Sequence, residues 1–233
     1  MLMKQKNIED IISDWTKLGL NIYLSCPIKD LDEEILSYLK SLNFNLEIYQ
    51  SLVLLGSGGK TFGLNFQYPL NEKDHPFDTF TINQITNFDS PKILYPTEKY
   101  IPPLQKISRF FNYSTQSLLG LDISKEYGLW FSYRALFLTQ EKMPASKKYE
   151  NKNICGECRT KECIKACPIN AISESLFKLN LCADFRLQEN SICSDRCHAR
   201  LACPFQKVHQ YDLKQTEYHM TRLNHLQKLA TFK

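Results

Sequence analysis

Nine cysteines occur in the 233 residues, and eight of them fall between Cys155 and Cys203. The first four, Cys155, Cys158, Cys163 and Cys167, follow a C-x2-C-x4-C-x3-C-P pattern closed by Pro168. The second four, Cys182, Cys193, Cys197 and Cys203, are more loosely spaced and are closed by Pro204. Thiols this crowded have three uses. A disulfide framework needs an oxidising compartment, yet the opening MLMKQKNIEDIISDW interleaves acids with apolar residues where a secretory leader has a continuous apolar core. Two four-thiolate zinc sites would use eight cysteines with no electron chemistry. Two cubic [4Fe–4S] clusters also need two groups of four thiolates, and they carry single electrons.

Spacing favours the cubes. Bacterial ferredoxins use C-x2-C-x2-C-x3-C-P, in which a tight loop presents three thiolates to one cube while the cysteine before proline reaches a second cube. The middle gap here is two residues longer, an insertion that a bulged loop accommodates. Zinc ribbons, by contrast, pair two widely separated C-x2-C knuckles. The crossed rule then groups Cys155, Cys158, Cys163 and Cys203 around one cube, and Cys182, Cys193, Cys197 and Cys167 around the other. Net charge is +4 overall but uneven: residues 1–140 carry −2 and residues 141–233 carry +6. Positive charge beside anionic cubes raises their potential; a nucleic-acid surface, with tRNA as its form, is the competing use. His198 and His219 are expected in surface or packing roles, and Cys26 as a small buried apolar residue.

The remaining sequence must supply what these centres serve. Helical spacing of Ile8, Ile11, Ile12, Trp15 and Leu18, stopped by Gly19, predicts a helix over 7–18. Strands are expected over 20–25 and 47–56, with a helix between them over 31–42 capped by Asp30. A helix over 76–88, an extended stretch over 91–96 and a proline-opened helix over 101–111 follow. Residues 126–139 are apolar at nearly every position, as in a strand buried on both faces, so helices are expected on both sides of a sheet. Arg134 on that strand must be paired, either in a structural salt bridge or with an anionic group of a ligand. Gly56-Ser57-Gly58-Gly59-Lys60-Thr61 ends like a nucleotide-binding loop, but Leu54 stands where that motif needs glycine. A tight turn whose backbone approaches a ligand through Gly58 and Gly59, or a plain connection, remains. The polar, basic tract 141–153 reads as a linker. No run of 18 apolar residues occurs, and a cytoplasmic protein with no membrane partner is expected.

Cys155-Gly-Glu-Cys158, Cys163-Ile-Lys-Ala-Cys167-Pro168-Ile-Asn-Ala-Ile172, the lone Cys182 and the closing Cys203-Pro204 resemble the double-cluster domain of epoxyqueuosine reductases. The strand from Gly128 to Phe137 resembles the last core strand of that family's cobalamin-binding domain, which is itself similar to the cobalamin-trafficking decyanases. The second cysteine group departs from the family's C-x2-C-x3-C-P. The resemblance implies an α+β fold: a nitroreductase-like sheet covered by helices over 1–140, the linker, a bacterial ferredoxin-like two-cluster domain over 154–210, and a C-terminal helix over 211–233 packing on the body. It implies a corrinoid over the sheet, or a flavin that suits the same fold, with Gly58, Gly59, Tyr133 and Arg134 as candidate contacts. Glu98 is the candidate proton donor, with Asp89, Asp122 and Glu126 equally open. The implied activity is an iron–sulfur oxidoreductase fed by a flavodoxin or a ferredoxin reductase, acting on a small molecule or a tRNA. A non-enzymatic electron carrier or cobalamin-trafficking protein is the alternative.

Overall fold

The computed structural model describes residues 7–68, 75–86, 88, 90–150 and 152–221. Its strands are β1 (Ile22–Pro27), β2 (Ser51–Gly58), β3 (Lys92–Tyr95), β4 (Ser114–Gln116), β5 (Asp122–Ser124) and β6 (Phe131–Thr139). Its α-helices are α1 (Ile8–Lys17), α2 (Glu33–Ser41), α3 (Pro76–Ile85), α4 (Leu104–Phe110), α5 (Ile154–Glu157), α6 (Glu162–Lys165), α7 (Leu179–Arg186), α8 (His198–Ala202) and α9 (Leu213–Thr221). The chain forms two compact units. One takes residues 1–65, 75–113 and 131–150; the other takes 66–74, 114–130 and 151–233.

In the first unit β1-β2-β6-β3 form an antiparallel sheet in that order. Every residue of β2 is buried, which explains the unalternating run LVLL at its centre, while its serines are hydrogen-bonded, Ser51 to Glu141 and Met143 and Ser57 to Arg134. Helix α1 starts at Asn7, whose side chain accepts the Glu9 N–H at 2.9 Å, and buries Ile11 and Trp15. The Trp15 ring packs edge-on against Phe137 of β6 and tilted against Phe88, at 6.3 and 5.5 Å. Gly19 must be glycine, since its φ is +82° and a Cβ there would stand 2.3 Å from the Phe62 nitrogen.

Several elements depart from the sequence reading. Helix α2 is capped by Asp32, whose Oδ1 accepts the Ile35 N–H at 2.8 Å; Asp30 is consumed in the short 3₁₀ turn Ile28–Asp30. The expected strand over 126–139 begins only at Phe131, because Gly128 turns left-handed at φ +60° and pairs back to Ser124. The tract 141–153 is not a free linker over its first part: Met143 is buried, Ser146 N–H donates to the Ser25 carbonyl at 2.8 Å, and Tyr149 N–H donates to the Phe111 carbonyl at 2.9 Å.

The second unit combines the β4–β5 hairpin with the cysteine-rich chain. Its core joins Leu119, Ile123 and Leu129 to Cys163, Cys167, Ile172, Ala199 and Cys203. The division therefore differs from one drawn at residue 140: Leu119, Ile123 and Leu129 share one core with Ile154, Ile164 and Ala199 of the short helices. Helix α9 is described to Thr221, and the rest of the expected C-terminal helix lies outside the described residues. Among the described residues no helix is long and apolar enough to cross a membrane.

Candidate metal centres

Two cavities open in the second unit, each lined by four of the eight clustered cysteines. The first, about 610 Å³, is walled by Cys155, Cys158, Cys163 and Cys203. The second, about 310 Å³, is walled by Cys167, Cys182, Cys193 and Cys197. This is the crossed grouping: the cysteine preceding each proline faces the cavity of the other sequence group. Local structure produces the crossing. Cys163 lies within α6, but that helix stops at Lys165, so Cys167 is carried past its end and leaves the face that Cys163 occupies. Helix α8 bridges the two walls, with Cys197 as its N-cap and Cys203 as its C-cap. Six residues of helical rise separate those caps by about 9 Å. Leu119 lines both cavities.

Electrostatics separate the thiols in the same way. Burial pushes Cys163 up, and Cys203, Cys155 and Cys158 add to it. Burial pushes Cys182 to about 11, with Cys197 next and Arg186 opposing. Cys193 is raised by burial and then by Cys197 and Cys167. Cys203 is raised by burial, eased by the Phe205 amide, and raised again by Cys155 and Cys158. Cys158 alone is lowered, chiefly by the backbone N–H of Lys161. Amide donors aimed at sulfur recur: Ala171 N–H donates to the Cys167 sulfur at 3.3 Å. Four thiols whose thiolate forms repel one another around a shared space lose their protons to solvent when a cation binds among them. All nine cysteines are free thiols. Among the described residues no three His, Cys, Asp or Glu side chains stand closely enough to hold a single metal ion; each set is spread around its cavity wall.

In the first unit Arg134 is 6% exposed. Its Nε donates to Ser57 Oγ at 2.8 Å, its guanidinium lies 4.6 and 4.9 Å from the Phe62 and Phe77 ring centres, and its Nη2 is buried without a hydrogen-bond partner. Stacking on two rings thus stands where a salt bridge was one expectation. Gly58 ends β2, exchanging two hydrogen bonds with the Asn21 side chain at 2.7 and 3.0 Å; Gly59 follows at φ +70°. Tyr133 is half-buried on β6 beside Phe131, 5.5 Å between ring centres. Cys26 is buried on β1. Glu98 is exposed in the bend after β3. Asp122 is buried on β5, accepting the Ser114 hydroxyl at 2.9 Å, Glu126 is exposed, and Asp89 lies outside the described residues. His198 meets the Ile192 carbonyl at 3.0 Å, and His219 stacks on Tyr211 and Tyr218 at 5.6 and 5.5 Å. The sequence reading passed over Arg186 and Arg200 in the second wall. Their signal was spacing, since they lie four residues after Cys182 and three after Cys197 on helices.

No protein-family model matches the sequence, and no curated protein matches it. Solved structures do. That of epoxyqueuosine reductase from Streptococcus thermophilus aligns with a TM-score of 0.53 at 12% identity, over 85% of this chain and 66% of that one. The chain shares the fold of epoxyqueuosine reductases. A second epoxyqueuosine reductase structure, solved with an epoxyqueuosine-modified tRNA stem loop, aligns at TM-score 0.51 and 13% identity over 91% of this chain and 69% of that one. The epoxyqueuosine reductase of Bacillus subtilis, with its catalytic loop swung out of the active site, gives 0.51 and 14% over 89% and 68%. The chain spans about two thirds of the length of these epoxyqueuosine reductases.

Proposed function

We propose that the chain is an iron–sulfur oxidoreductase whose eight clustered cysteines hold two [4Fe–4S] clusters and whose sheet unit binds the cofactor that meets the substrate. The observation that carries this reading is the pair of cavities, each walled by four thiols drawn from both sequence groups. The fit is chemical as well as numerical. Each wall offers four thiols, one for each iron corner of a cube, and backbone N–H groups reach the sulfurs of Cys167 and Cys158. A tetrahedral zinc ion would draw its four thiolates to within about 4 Å of one another. When bound, the clusters would supply single-electron transfer.

The chain's own residues define the rest. In the sheet unit the unused Nη2 of Arg134, held in place by Ser57 and two rings, is a donor suited to an anionic or carbonyl group of a corrinoid; a flavin is the alternative. Tyr133 and the backbone of Gly58 and Gly59 complete that candidate site. Glu98 is exposed and therefore able to exchange a proton with solvent, the requirement for a donor that acts repeatedly. A tRNA-borne substrate is the first to test, because one fold neighbour was solved with a tRNA stem loop; a small molecule is the other arm, with a flavodoxin or ferredoxin reductase as electron source. The test is anaerobic reconstitution with iron and sulfide, followed by titration with cobalamin and with flavin mononucleotide. Micromolar binding of cobalamin, lost in Arg134→Met, supports the enzyme. Clusters with neither cofactor bound would favour the electron carrier.

A further inference from the structure

The two cavities differ in the charge built into their walls. The cations of the first are lysines: Lys125 and Lys152 are exposed and Lys161 is half-buried, and Glu157 and Glu162 stand among them. Lys125 and Lys152 lie in water, where salt largely screens them; Lys161 donates through Nζ to the Cys155 carbonyl, and Glu157 and Glu162 on the same wall offset its charge. The second wall has two arginines, Arg186 on α7 and Arg200 on α8, and no carboxylate among its described residues.

Both arginines are fixed. Arg186 Nη2 donates to the Met220 carbonyl at 2.6 Å, and Arg200 Nη2 donates to the Leu129 carbonyl at 2.6 Å. The Arg200 guanidinium also lies over Trp130 and Tyr211, 4.5 and 5.1 Å from the ring centres. In each, Nε is buried with no hydrogen-bond partner. A half-buried guanidinium whose Nε is shut off from water with its donor unused needs a negative charge nearby. The thiolates of a bound cluster would supply it, since Cys182, Cys193 and Cys197 line the same wall as Arg186 and Arg200.

Resting on the reading of two clusters given above, we propose that Arg186 and Arg200 set the second cluster at a higher reduction potential than the first, so that an electron entering the pair comes to rest at the cavity of Cys167, Cys182, Cys193 and Cys197. Reduction adds one negative charge to a cluster, and cations held in place with no carboxylate on the same wall stabilise that state. One electron leaves the first cluster and one enters the second; no bond forms or breaks and no proton is required. The two cavities share a wall: Arg200 of the second bonds the carbonyl of Leu129, which lines the first.

The experiment is a potentiometric titration of the reconstituted full chain with dithionite, followed by electron paramagnetic resonance. Two separate reduction steps are expected, and Cys182→Ala should abolish the upper one. Arg186→Gln should move the upper step to lower potential and leave the lower step in place, whereas Arg186→Lys, which keeps the charge, should retain most of the upper potential. Arg200→Gln should act in the same direction; if that variant fails to fold, the Arg186 pair decides. A single step in the unaltered chain, an upper step indifferent to Arg186→Gln, or a shift confined to the lower step overturns the proposal. A chain that takes up no iron or sulfide defeats the underlying reading instead, and is distinguished by analysis before any titration.

Discussion

Cys167 tests the crossing most sharply, because it belongs to the first group in sequence and to the second cavity in space. Cys167→Ala removes one buried sulfur whose contacts are mainly apolar and whose one hydrogen bond is from the Ala171 amide. On the scale of single-atom core truncations this costs about 1 kcal/mol, small against the roughly 5–15 kcal/mol that holds a domain folded. The fold should survive, so lost iron reports lost ligation. Two cubes hold about eight irons, and losing one leaves about four. Iron and acid-labile sulfide should therefore fall by about half in Cys167→Ala after anaerobic reconstitution. The double variant Cys167→Ala with Cys182→Ala, which strikes the same cavity, should retain that half. Cys167→Ala with Cys163→Ala, four residues apart in sequence but in different cavities, should lose nearly all of it. If the Cys163 pair keeps half the iron and the Cys182 pair keeps none, the cages follow sequence order and the crossing is refuted.

Other expectations follow from single residues. Cys26 is buried and its thiol is pushed up to about 12, by burial first and then by Asp30; its thiolate at pH 8 is about a thousandfold scarcer than an ordinary cysteine's, so maleimide should spare it in the native chain, and Cys26→Ser should leave iron content unchanged. Because the fold favours the neutral thiol, its contribution to stability is full below the usual thiol range and is lost as pH rises from the ordinary 9.0 toward about 12; Cys26→Ser should flatten that alkaline loss in urea titrations. Arg134→Met removes two ring contacts and leaves Ser57 without its donor, and should lower urea stability by about 1–3 kcal/mol. Gly128→Ala puts a Cβ 2.7 Å from the Phe205 carbonyl oxygen at φ +60°, costing on the order of 1–3 kcal/mol; because Phe205 follows Cys203 and Pro204, the first cluster should be lost and the second kept, as read by resonance.

What the sequence made legible was which of the eight clustered thiols share a cavity and the elements with strong periodicity. Cysteine spacing led to the crossed grouping that the cavities display, and Trp15 with Ile11 marked the buried face of α1. The limits are physical. Asp30 and Asp32 are equal as caps on paper, and only the 3₁₀ turn at Ile28–Asp30 decides between them. Nothing local in Leu119, Ile123 or Leu129 says that they pack on cysteines 34 to 84 positions away; that pairing is tertiary. The basic tract after β6 reads as solvated until Ser146 is seen bonding the edge of β1 at Ser25. Arg134 reads from the sequence as a buried cation needing a partner, but the two phenylalanine faces that hold it leave no mark in sequence spacing.

The most direct test of the central claim is metal and sulfide analysis of the chain purified without oxygen. About eight irons and about eight acid-labile sulfides per chain are expected, with zinc far below one. About two zinc ions per chain and no labile sulfide would contradict it.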